Sequence, residues 1–161
     1  MNWVDLALAV LLIIRAYFGL KQGIIKGVLF LAASIIGVIL AGNYYQPLSE
    51  VLGFIPIEYA ADIVAFVLIL SCFEIVAFIV IRLFRFTTPA VMRSWVNNVG
   101  GAVFGFLMGA IEWGALLALW VKFLGTGLVT ESLLAGVLLD KVPLILALLP
   151  SEFDAVRNFF R

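Results

Sequence analysis

Three side chains in this sequence could do chemistry where chemistry is costly. Arg15, Glu74 and Glu112 each interrupt a long apolar run. Charges at membrane depth are expensive to retain, so each is a functional candidate by default. A guanidinium beside a carboxylate makes a buried ion pair, and two carboxylates in one helical bundle could form a proton or solute relay. The sequence offers no third member for such a relay. It has no histidine and one cysteine, Cys72, which excludes an intramolecular disulfide and leaves nothing for a zinc site or a histidine-based catalytic site. Cys72 reads most simply as a buried apolar side chain. Neither GVLFLAASIIG nor NVGGAVFG ends in Lys-Ser/Thr, so the phosphate-binding loop pattern fails. No catalytic residue, cofactor or metal is expected, and the chain does not read as an enzyme.

The elements that must position these charges follow from composition. Of 161 residues, 65% are hydrophobic and 12% charged, with a mean hydropathy of +1.23. Soluble domains run at about 45–50% apolar and about 25% charged. This is the composition of an all-α integral membrane protein, whose first partner is the lipid bilayer. Ten basic and ten acidic residues cancel, and no excess charge points to nucleic acid.

A crossing needs about 20 mostly apolar residues. Four stretches qualify, at about 3–20, 24–41, 63–83 and 99–123, and together they form a bundle over residues 1–127. The first is expected to be retained, because MNWVDLALAV lacks a basic leader and no A-x-A site follows. KQGIIK reads as a short connection between the first two spans, and 47–62, with two prolines and three acids, as an external loop. Tyr44 and Tyr45 suit an interfacial aromatic belt. Residues 128–161 carry Asp140, Lys141 and Pro143 in the middle of their apolar run, and two central charges cost about 3 kcal/mol each on insertion. They are expected as interfacial amphipathic helices. Thr130 and Ser151 are candidate N-caps, with Asp154 completing a capping box. Phe153, Val156 and Phe160 form the apolar side, and Arg157 and Arg161 a basic end.

Lys21 and Lys26 follow the first span and Arg82, Arg85 and Arg93 the third, whereas the connection after the second has no Lys or Arg. The positive-inside rule puts the basic connections in the cytoplasm and both termini outside. At about 1.5 Å per residue, Arg15 then lies roughly 8 Å, Glu74 roughly 12 Å and Glu112 about 20 Å from the cytoplasmic edge. Arg15 and Glu74 come within reach if their spans are neighbours; alternatively Arg15 snorkels to the interface.

Small residues recur every four positions: Gly19, Gly23 and Gly27; Ala33, Gly37 and Ala41; Gly101, Gly105 and Gly109. In lipid such stripes let helices approach closely. They read first as packing within the bundle and second as a homo-oligomer face. Glu112 shares the face of the last stripe, which places it between helices.

The segments NWVDLALAV, GLKQGIIKGVLFLAASIIGVILAGNYYQPLSE and NNVGGAVFGFLMGAI resemble the bacterial colicin V production protein family, over residues 2 to about 120. Trp3, Asp5, Gly19, Gly23, Gly27, Gly101, Gly105 and Gly109 occupy the matching positions; Met108 stands where relatives often carry a basic residue. The resemblance implies a multi-pass bacterial inner-membrane protein needed for production or export of a peptide toxin, or for envelope homeostasis. It implies no catalytic residues. Its partner would be a secretion or envelope protein, or a second copy of itself. The competing class is a transporter or channel subunit that uses Glu74 or Glu112.

Overall fold

A computed structural model describes residues 3–53, 55–83, 94–125, 127–141 and 143–159. Arg85, Arg93, Phe160 and Arg161 lie outside the described residues, as does the side chain of Arg157. Among those described there is no strand. Three helices are long and apolar enough to cross a membrane: α1, Trp3–Val51; α2, Glu58–Leu83; and α3, Trp95–Leu124. Four short α-helices follow among the described residues, with a π turn and a 3-10 turn between them. They are α4 (Gly127–Thr130), α5 (Leu133–Gly136) with a π turn at Val137–Lys141, α6 (Pro143–Ala147), and α7 (Asp154–Phe159) behind a 3-10 turn at Ser151–Phe153.

The 49 residues of α1 contain one break. Gly23 has φ 78° and ψ 175°, a backbone conformation that only glycine adopts without strain. The expected connection KQGIIK is therefore not a loop; a single residue turns the chain, and both lysines lie on helix. Arm one precedes Gly23 and arm two follows it. Gly19 and Gly27 both lie against Gly101, and Arg15 and Ser34 both reach Glu112. The arms therefore run antiparallel, folded back on each other against α3.

The turn leaves the first N–H groups of arm two without helical acceptors. Asn97 of α3 supplies one, its Oδ1 accepting from Ile24 N at 3.0 Å. At the other end, arm two runs through Pro47 to Val51, so the expected loop over 47–62 shrinks to the residues between Val51 and Glu58. Pro47 is exposed, in the last turns of the helix, where the one missing backbone bond opens to the surroundings. The helix α3 starts at Trp95 behind Ser94, whose Oγ accepts from Val96 N at 3.4 Å.

The helix α2 lies against arm two: a Cβ on Gly37 would sit 3.1 Å from Leu70 and 3.2 Å from Phe73. The short C-terminal pieces complete the surround of α3. Ile145 packs on Gly114, and Pro150 and Leu149 on Gly42. Ala135, Leu139, Ile145 and Phe153 are buried in the same hydrophobic cluster as Leu8, Val38 and Leu119. The cap of α5 is Ser132, whose Oγ accepts from Ala135 N at 3.2 Å. Thr130 is instead the last residue of α4, and Ser151 opens the 3-10 turn without capping it.

Candidate functional site

The site is set by the contact of arm one with α3. Gly19 and Gly101 meet backbone to backbone; the α-carbon of Gly105 lies against the Arg15 carbonyl, and Gly109 against the Arg15 side chain. All six stripe glycines are buried. Any side chain at Gly101 or Gly105 would collide with main chain, which a rotamer change cannot relieve. Close approach of these two helices depends on the absence of Cβ atoms at these positions.

This register aims Arg15 along α3 toward Glu112, less than one turn beyond Gly109. Arg15 Nη2 donates to Glu74 Oε1 at 2.5 Å and lies 2.5 Å from Glu112 Oε2. The second contact is an ion pair outside hydrogen-bond angles, since Oε2 has no hydrogen-bond donor. Ser34 of arm two, fully buried, donates from Oγ to Glu112 Oε1. Four side chains from both arms, α2 and α3 thus converge on one point.

Counting depth from span edges separates Glu112 from the other two charges. The structure brings it to them, because the glycine contacts slide α3 along arm one and the long arginine spans what remains. Ser34 was not singled out from the sequence. Its signal is a hydroxyl on the small-residue face of arm two, three residues before Gly37 and seven before Ala41, where polar residues join membrane helices. The side chains of Arg15 and Glu74 are 28% and 27% exposed, that of Glu112 only 2%. Cys72 is exposed on α2, a correction to its reading as a buried side chain. Period alone could not show which side of α2 meets arm two.

A second polar junction ties the C-terminal pieces to arm one. Asp5, 3% exposed, accepts at Oδ1 from Ser132 Oγ at 2.6 Å and from Leu134 N at 2.8 Å. A third joins α3 to arm two and to the C-terminal pieces: Lys122 Nζ of α3 donates to Tyr45 Oη at 2.5 Å and sits 4.6 Å from the Phe153 ring centre. Buried Tyr45 thus serves a lysine rather than an aromatic belt, whereas Tyr44 is exposed. Among the described residues no three His, Cys, Asp or Glu side chains are placed to hold a metal ion.

The arrangement is one of stripe packing, a mid-helix charge cluster and a polar first turn. A family model described as colicin V production protein matches residues 4–143. The chain belongs to the colicin V production protein family. No curated protein and no solved structure matches it. The region shared with the colicin V production family reaches past residue 120, where the sequence resemblance fades. It takes in Arg15, Ser34, Glu74 and Glu112, and also Asp5 together with Ser132 and Leu134. In this membrane protein the charge cluster and the Asp5–Ser132 junction therefore lie inside the range shared with the colicin V production family, whereas Ile145, Leu149, Pro150 and Phe153 lie beyond it.

Proposed function

We propose that this protein is a non-enzymatic accessory of the bacterial inner membrane that supports production or secretion of a peptide toxin, or envelope homeostasis, through helix contacts. The observation that carries this reading is the family match over residues 4–143. In this reading the chain crosses four times. Each arm of α1 is long enough for hydrocarbon about 30 Å thick at about 1.5 Å per residue, and Gly23 turns between them. Lys21, Lys26 and Arg82 flank crossings at the Gly23 end, which becomes the cytoplasmic face, with both termini outside. The glycine stripes are occupied within the chain. A secretion or envelope partner, or a second copy, would meet the outward apolar surface, where Ile75, Phe78 and Ile79 of α2 are exposed.

The test is toxin partitioning between cells and medium in a colicin-V-producing strain that lacks this protein, complemented with wild type, Gly105→Leu or Glu74→Gln. Toxin retained in cells, released by wild type and Glu74→Gln but not by Gly105→Leu, is the expected result. Unchanged secretion in every strain rejects the toxin role, and a normal envelope-stress response in the same strains then rejects the homeostatic one.

A further inference from the structure

Between the two arms of α1, against α3, lies a recess of about 40 Å³. A single water needs roughly 10–15 Å³ on that measure, so the recess holds about three. Gly19, Gly27 and Gly105 line it, with Phe18 and Phe30 beside them. Its polar groups stand apart: Gln22 is one residue from the Gly23 turn, and Arg15 is seven residues further in, about 10 Å along the helix. Met108 faces it from α3, beside the Gly109 contact with Arg15.

We propose that this recess is a water-filled vestibule that opens at the Gly23 end and brings water to the Arg15–Glu74–Glu112 cluster. The choice of water over a lipid chain rests on the charges. Arg15 lines the recess and is 28% exposed, and its partner Glu74 is 27% exposed, whereas hydrocarbon against either is costly. Glu112 is 2% exposed and is held by Ser34 and by its ion pair with Arg15. The ligand is water itself, and the cluster becomes an ionisable site reachable from one side of the membrane. The proposal rests on the four crossings above.

The experiment is cysteine accessibility in oriented vesicles, in a Cys72→Ser background, with a membrane-impermeant thiol reagent. Lys21→Cys marks the Gly23 end and Tyr44→Cys the opposite end, both wild-type residues being exposed. Met108→Cys is expected to react from the face that labels Lys21→Cys, about tenfold faster than from the other, where packed helices bar the reagent. Reaction of Met108→Cys only with a membrane-permeant maleimide overturns the vestibule in favour of a lipid-filled or closed groove. Labelling of Lys21→Cys and Tyr44→Cys from the same face overturns the crossing pattern itself. Where Met108→Cys fails to assemble, Phe30→Cys decides, since Phe30 lines the recess seven residues past Gly23 on arm two. Reaction from the Lys21 face supports the proposal, and inertness toward the impermeant reagent overturns it.

Discussion

The backbones of Gly19 and Gly101 touch, and a Cβ on either would overlap the carbonyl oxygen of the other. Nothing flexible lies at this contact. Gly101→Ala should therefore push arm one off α3 and lower stability by about 1–3 kcal/mol, the usual cost of overpacking. Gly136→Ala is the control, because a Cβ there meets nothing within 4 Å. Thermal unfolding in detergent should show a large fall in Tm for the first and little change for the second.

Arg15 answers two carboxylates. Arg15→Ala should cost about 3–5 kcal/mol, the range for breaking a buried pair and leaving its partner uncompensated. Glu74→Gln should cost less, since Glu74 is 27% exposed and Arg15 keeps Glu112. Denaturant unfolding of both single variants and the double variant should give a coupling energy well above zero; additive effects would mean that the contact contributes nothing to stability.

At the turn, Gly23 and Asn97 act together. Asn97→Ala removes the acceptor for Ile24 N and should cost about 1 kcal/mol, in the range of a lost helix cap. Asn97→Asp keeps an acceptor and should restore much of it. Gly23→Ala should be worse than either, combining a positive φ with overlap on the Asn97 side chain. Amide exchange at Ile24, read by mass spectrometry, should rise in Asn97→Ala and return toward normal in Asn97→Asp.

Much of the fold could be read from composition and run length, and less from local signals. Long apolar runs with few charges fix helices in lipid whatever their glycine content, which is why α2 and α3 are evident from 63–83 and 99–123 to within a few residues. KQGIIK misleads because lysines suggest a loop, while the turn depends only on the φ of Gly23. Ser132, Asn97 and Ser34 are invisible as partners, since each bonds across the fold to a residue more than seventy positions away. The glycine stripe announces a close contact, and the register of that contact, which decides whether Glu112 meets Arg15, exists only once two helices are docked.

The first turn of arm one is held by Asp5. Asp5→Ala should free Ser132 Oγ and Leu134 N and loosen residues 127–159, at a cost of about 0.5–2 kcal/mol for the lost cap. Asp5→Asn keeps the acceptor and should be milder. Limited proteolysis should cut within 127–159 faster in Asp5→Ala, with α2 and α3 still protected.

That same bond sets an order in time. Asp5 and Ser132 are 127 positions apart, so the ribosome delivers the carboxylate long before the hydroxyl that receives it. Until residues 132–134 emerge, arm one folds without the two donors that this carboxylate holds in the finished bundle. The junction therefore forms only after α2 and α3 have left the ribosome, and pieces synthesised later close the first turn of a helix made at the start.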